Sequence, residues 1–233
     1  MEEITPMCGR FTQTHSWTEI DAFLGLSGLP RNLQPRYNIA PTSTIDVCRV
    51  GKLGRELAPM RWGLAPSWWK KPLAELPATF NARSESIAEK PMFRSAFKHR
   101  RCIIPASGFY EWTGTKGDKT PHYFSSSKHK PLAFAGLWES WRDLETNEEI
   151  LSATIIVGPA NLWMVQFHER MPVILEPQYF DAWLTGDNPS AAMLLSKAHD
   201  LQEWIVSKRV NRTGAHDSDP SLIEEIGGAL KYQ

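Results

Sequence analysis

Cys8 follows Met7 and precedes Gly9, and this position is where the chain has its most distinctive chemistry. A chain that began at Cys8 would carry a free amine and a thiol on neighbouring carbons. Such a 1,2-aminothiol condenses with an aldehyde through its amine and closes a five-membered ring through its thiol. The amine can also serve as base for the thiol of its own residue, as in N-terminal nucleophiles. With residues 1–7 attached, the same nitrogen is an amide and this chemistry is blocked. Read as an internal residue, Cys8 is an ordinary half-buried packing cysteine. The residue type alone leaves both readings open.

Four further residues could serve such a centre. Glu111 stands between Tyr110 and Trp112. A carboxylate held among aromatics is partly desolvated and suited to proton transfer; otherwise it is a strand glutamate facing water. His168 lies in Phe167-His168-Glu169-Arg170 and can move protons near neutral pH, or be structural. Asn81 could orient a substrate hydroxyl or cap a turn. Arg83 could grip a phosphate or pair with Glu85. Residues 60–72 interleave Trp62, Trp68 and Trp69 with Arg61, Lys70 and Lys71. That pattern fits a structural loop, or a lip that stacks bases and holds phosphates.

The elements that must position these residues can be read from periodicity. Ser16 caps a helix over 16–26, Glu19 completes a capping box, and Gly25 and Gly28 mark the exit. A strand follows over 44–50, in which Cys48 packs. Residues 88–101 carry Lys90, Arg94, Lys98, Arg100 and Arg101; the pattern predicts a short helix whose cations face solvent or phosphate. Residues 102–112 read as a strand entering a tight turn. The stretch 113–120, rich in glycine and threonine, is a hairpin tip. Strands follow over 122–126, 131–140 and 151–158. Pro177 opens a short helix, and Ser190 caps another. The acidic end, with Asp217, Asp219, Glu224 and Glu225, reads as a loosely attached tail. Closely spaced strands with turn-rich joints predict a curved antiparallel or mixed sheet and not βαβ repeats. No linker divides the chain, so one domain is expected.

Composition narrows the function classes. Lys plus Arg equals Asp plus Glu, 26 each, so no global charge advertises nucleic acid, although a local basic groove remains possible. The three cysteines, Cys8, Cys48 and Cys102, form neither a disulfide framework nor a zinc spacing. Neither a secretory leader nor a membrane span is evident, and a reducing cytoplasm fits best. Glycine-rich phosphate loops, HExxH and GxSxG are all missing, which removes the common nucleotide-binding, zinc-protease and serine-hydrolase readings.

Several longer stretches carry a resemblance. MCGRF at 7–11, RYNIAP at 36–41, RWGLAPSWW at 61–69, FNARSES at 80–86, PMF at 91–93, RRCIIPASGFYEW at 100–112 and HERMPVIL at 168–175 occur in this order. Together they are similar to the SOS-response-associated peptidase family, also called abasic-site processing proteins. The resemblance implies a single α+β domain with a curved, partly barrel-like, mixed or antiparallel sheet, peripheral helices and a basic groove. It implies covalent capture of abasic sites in single-stranded DNA by an N-terminal cysteine, here Cys8. Asn81, Glu111 and His168 would line the pocket. Arg10, Arg83 and Arg170 would hold phosphates, and Asn38, Pro41, Trp68 and Trp69 would shape the groove or stack on DNA. The chemistry so implied needs no metal or organic cofactor. The expected partner is single-stranded DNA containing abasic sites. The expected protein is a cytoplasmic monomer with no membrane attachment, associated with the nucleoid when bound to DNA.

Members of the family begin Met-Cys and lose the methionine. Here six residues precede Met7, so residues 1–7 are a leader or a mis-assigned start, 8–215 the family domain and 216–233 a tail. A mis-assigned start codon, self-cleavage before Cys8 and an inactive copy are three accounts of that departure. Two other activities stay open beside DNA crosslinking: a cysteine peptidase that removes only its own leader, and non-catalytic binding of single-stranded DNA.

Overall fold

The computed structural model describes residues 9–115, 117–195, 200–214 and 217–226. Its strands are β1 Phe11–Gln13, β2 Arg36–Ile39, β3 Thr44–Gly51, β4 Gly54–Trp62, β5 Asn81–Arg83 and β6 Arg101–Ala106. They continue with β7 Gly108–Thr115, β8 Asp118–Ser126, β9 Leu132–Arg142, β10 Glu149–Pro159, β11 Arg170–Pro172 and β12 Leu201–Ile205. Among the described residues four α-helices lie at the periphery: α1 Trp17–Leu24, α2 Arg94–His99, α3 Phe180–Leu184 and α4 Pro189–Leu195. Among the described residues no helix is long and apolar enough to cross a membrane.

The strands form two sheets. In one, the order β10-β4-β3-β6-β9 closes on itself, because β9 also pairs with β10. The β10–β4 contact is parallel and the other four are antiparallel, so the result is a closed mixed barrel of five strands. Period-two alternation explains its filling. Ile45, Val47, Met60, Trp62, Cys102, Ile104, Phe134, Ala153, Ile155 and Val157 share one apolar cluster. Cys48, Leu57, Ile103, Ala133, Ala135, Leu137 and Ile156, of opposite parity on the same strands, join a second cluster with α1, α2 and α3. The second sheet, β12-β8-β7-β1-β2, is antiparallel throughout and adds Phe11, Phe109 and Phe124 to the first cluster. The expected single α+β domain with a curved, barrel-like sheet is what forms.

Local expectations fared unevenly. The Ser16–Glu19 capping box is present, and Gly25 ends α1 with φ 64°. The stretch 102–112 is not one strand: it splits at Ser107 into β6 of the barrel and β7 of the second sheet. Gly108 makes this crossing possible, since a Cβ there would lie 2.4 Å from the Phe124 carbonyl oxygen. Asn188, not Ser190, caps α4, its side-chain oxygen accepting from the Ala191 N–H at 3.2 Å. The acidic tail is not loose over 217–226. Tyr37 N–H donates to the Asp217 carbonyl at 2.6 Å, Leu222 is buried, and Glu225 bridges to Val206.

The basic run forms the expected short helix, α2, and leaves Lys90, Arg94 and Lys98 exposed, but its last two arginines differ from expectation. Arg100 pairs with buried Glu139 at 2.6 Å. Arg101 turns inward and donates to the carbonyls of Phe97, Lys98, Trp183 and Gly186, tying α2 to α3. A buried guanidinium is tolerated because carbonyls at helix ends lack intrahelical donors. Arg101→Leu should therefore lower the unfolding free energy by about 3 kcal/mol, since several buried acceptors lose their donor at once. Urea denaturation measures this; an unchanged midpoint would show that the guanidinium contributes nothing to the fold.

Candidate active site and nucleic-acid interface

Strand β1 lies between β2 and β7, with Phe11 opposite Phe109 and Thr12 opposite Gly108. The Tyr110 N–H donates to the Arg10 carbonyl at 3.0 Å, so the pairing continues back from β1 toward Gly9, beside the strand that carries Glu111. Cys8, the expected nucleophile, and residues 1–7 lie outside the described residues. Glu111 is 3% exposed, on the face of β7 that also presents Phe109 to the core. The carboxylate is thus inside the protein and not on a solvated strand face.

Asn81 and Arg83 share one face of β5, while Ala82 between them is buried. β5 runs parallel to the end of β10, with Asn81 opposite Ile155 and Arg83 opposite Val157. On the other edge of β10 lies β11, where Arg170 opposes Pro159. Glu85, just beyond β5, meets Arg170 through two contacts of 2.8 and 3.0 Å. Arg170 holds the Glu85 carboxyl below its ordinary pKa. The pair is complete at neutral pH and is lost as pH falls through that lowered value. Arg83 therefore does not pair with Glu85. It is exposed and, among the described residues, its guanidinium has no side-chain partner.

His168 ends a tight turn in which its N–H donates to the Met164 carbonyl at 3.1 Å. Its Nδ1 accepts from the Arg170 N–H at 3.1 Å, which leaves the hydrogen of the neutral ring on Nε2. The neighbouring Phe167 packs on Phe124 and His122 of β8, with ring centroids 5.1 and 5.0 Å apart. His122 is in turn opposite Glu111 in the β7–β8 hairpin. A chain of contacts thus links Arg170, His168, Glu111 and the strand leading back to Gly9, with Asn81 and Arg83 across β10 on its opposite edge.

The expected phosphate and groove residues Arg10, Asn38, Pro41, Trp68 and Trp69 differ in exposure and in contacts. Arg10 donates to the Asn38 side-chain oxygen and to the Val210 carbonyl, both at 2.6 Å, and lies 5.7 Å from the Trp112 ring centre. Burial lowers its pKa, opposed by the charge of Asp217. Asn38 has no exposed surface, and its amide nitrogen donates to the Arg212 carbonyl at 2.8 Å. It therefore holds Arg10 from inside the protein. Pro41 begins the turn between β2 and β3, tied to β4 through the Thr42 N–H and the Trp62 carbonyl at 2.8 Å. Trp62 is buried, and its indole donates to the Phe80 carbonyl next to Asn81. Trp68 is 48% exposed and meets Trp69 edge to face at 6.2 Å. The Trp69 carbonyl accepts from the Trp141 indole at 2.8 Å, anchoring that lip on β9.

Sequence reasoning passed over His122, Glu203 and Thr113. The signal was present in the hairpin: with Thr115 opposite Asp118, counting outward places His122 across from Glu111. Glu203 had no such signal, because β12 reaches β8 from distant sequence.

Residues 7–213 match the model of the SOS response associated peptidase (SRAP) family, and the chain belongs to that family. Abasic site processing protein YoaM of Bacillus subtilis (strain 168) is 37% identical over 213 residues, covering 88% of this chain and 93% of that protein. Abasic site processing protein YoqW of the same organism is 35% identical over 226 residues, 94% and 99% of the two chains. Abasic site processing protein YedK of Escherichia coli (strain K12) is 30% identical over 183 residues, 76% and 79%. In fold, a crystal structure of a protein from Bacteroides thetaiotaomicron superposes with a TM-score of 0.81 at 22% identity, over 94% of this chain and all of the other.

The remaining thiols are set apart from any chemistry. Cys48 and Cys102 are fully buried, and burial pushes the Cys48 thiol up to about 12 and raises that of Cys102. Thiolate is the reactive form. Iodoacetamide at pH 8 should leave both unmodified in the native protein and label both in guanidinium chloride. Native labelling of either, read by peptide mass, would contradict this burial.

Proposed function

We propose that this protein captures abasic sites in single-stranded DNA through Cys8 acting as its N-terminal residue. The reading is carried by the pairing of β1 with β7, which leads the backbone toward Gly9 alongside the strand of buried Glu111. The names of its relatives as abasic site processing proteins support it.

The ring-opened sugar of an abasic site presents an aldehyde. The Cys8 amine, with an ordinary pKa of about 8, is partly neutral at physiological pH and attacks the carbonyl carbon. Loss of water gives an imine. The thiolate sulfur then adds to the imine carbon, the nitrogen takes up a proton, and a thiazolidine results. Both additions come from one residue, so the second is intramolecular and favoured by proximity. Glu111 moves the protons of the amine and imine. His168 offers Nε2–H to the sugar oxygen during ring opening. Asn81 orients the cysteine or the sugar. Arg83 holds a phosphate, while Trp68 and Trp69 stack on neighbouring bases. Arg170, already bound to Glu85, contributes to the phosphate site as part of that pair. The contacts go to backbone and to any base that stacks, so binding is independent of sequence.

The decisive experiment compares a form whose first residue is Cys8 with one shown by mass to retain residues 1–7. Each is incubated with single-stranded DNA carrying one abasic site and resolved on denaturing gels. The first should form a stable adduct, Cys8→Ala should abolish it, and the extended form should give none. An adduct from the extended form would overturn the N-terminal amine mechanism and point to another nucleophile. Glu111→Gln should slow the adduct about 100-fold with DNA affinity retained; a parental rate would remove Glu111 from proton transfer.

Arg83→Ala should weaken single-stranded DNA binding several-fold, equally across sequences, and reduce the slope of log K against log salt by about 0.7. Fluorescence anisotropy at several salt concentrations measures both. An unchanged slope would mean that Arg83 does not neutralise a phosphate.

A further inference from the structure

We infer that His122 is a positioning residue for Glu111 and for the turn that carries His168, and that Glu203 and Thr113 hold it in that task. The inference rests on the proposed abasic-site chemistry and adds to it a set of residues outside the expected pocket.

The β7–β8 register places His122 directly opposite Glu111. Directly opposed residues of an antiparallel pair point to the same face, with Cβ atoms about 4.5–5.5 Å apart. Both are almost out of water, at 7% and 3% exposure. The imidazole is therefore the cross-strand neighbour of the carboxyl proposed to move protons.

The ring is gripped by three elements. Its Nδ1 lies 2.5 Å from Glu203 Oε1 on β12, and its Nε2 lies 2.8 Å from Thr113 Oγ1 on β7. The Phe167 ring, from the segment before β11, packs on it at 5.0 Å. A carboxylate only accepts hydrogen bonds, so Nδ1 carries a hydrogen and donates it to Glu203. With both ring nitrogens engaged, His122 is not the group that exchanges protons with a substrate. Buried polar groups whose partners are all in place hold one geometry, because each alternative leaves a donor or acceptor unpaired in a dry site.

That fixed ring has two consequences. It bounds the space open to the Glu111 side chain on the β8 side. It also supports Phe167, the covalent neighbour of His168, whose own ring is set by the Arg170 N–H. One anchored imidazole thus holds two proposed acid–base groups that lie far apart in the chain. Arg83, Trp68 and Trp69 stand on β5 and on the segment after β4, away from the elements that grip the ring, so His122 is assigned to positioning for the reaction and these three proposed DNA contacts are left in place. A displacement of about 1 Å in a reacting group can cost 100-fold in rate.

The test uses the protein beginning at Cys8, saturating single-stranded DNA with one abasic site, and single-turnover adduct formation. His122→Phe keeps a ring of similar size and removes both anchors. It should lower the maximal rate about tenfold or more while the Kd for DNA stays within about twofold. Glu203→Leu should do the same, whereas Glu203→Gln, which can still accept from Nδ1–H, should restore most of the rate. Thermal unfolding of each variant reports the fold. A parental maximal rate in both His122→Phe and Glu203→Leu overturns the inference. So does a parallel loss of rate, affinity and Tm that Glu203→Gln fails to restore, because that is the mark of general structural damage. If His122→Phe does not fold, the Glu203 pair of variants decides by the same criteria. No adduct from the unsubstituted protein would instead refute the abasic-site chemistry itself.

Discussion

Strand β10 must satisfy both of its edges along eleven residues, and the remaining architecture follows from how it does so. One edge takes β9 and then β11, and the other takes β4 and then β5. The first part of the strand closes the barrel. The last part, beyond the reach of β9 and β4, would expose unpaired backbone if the short β5 and β11 did not cover it. Those two short strands carry Asn81, Arg83 and Arg170. Completing the barrel's hydrogen bonding and presenting polar side chains at its rim are therefore one structural event.

The second sheet supplies the opposite wall. Its Phe11, Phe109 and Phe124 continue the barrel's apolar cluster, which fixes the face on which Glu111 and His122 lie. Moving one residue along a strand reverses the face, and moving two returns to it. Glu111 is two residues beyond Phe109, and so it is drawn under cover by the same packing that seats the phenylalanine. A buried carboxyl thus arises from sheet geometry, with no special local sequence.

The arginines illustrate how environment divides one residue type into different roles. Arg101 is an internal strut between helices, Arg10 binds Asn38 and the C-terminal segment, and Arg170 is paired with Glu85. Arg83 alone of these is exposed without a side-chain partner among the described residues. An arginine already bound to a carboxylate or to carbonyls must give up those bonds to take another anion, whereas Arg83 need not.

By itself the sequence determined whatever depends on neighbours along the chain. The Ser16–Glu19 cap, the turn at 113–120, the period-two strands and the packing of Cys48 are local or periodic properties and were legible directly. The family, too, was legible, since its motifs are contiguous. The split of 102–112 between two sheets, the inward turn of Arg100 and Arg101, the docking of 217–226 and the burial of Asn38 were decided only in three dimensions. Each depends on groups far away in the chain, such as Glu139, Trp183, Val206 or Arg212. Composition reports how many charges and carbonyls exist, and folding alone chooses which of them meet. The same holds for His122, a histidine among seven in the sequence. Its place beside Glu111 follows from a hairpin register, but the carboxylate that anchors it arrives on β12, 81 residues later.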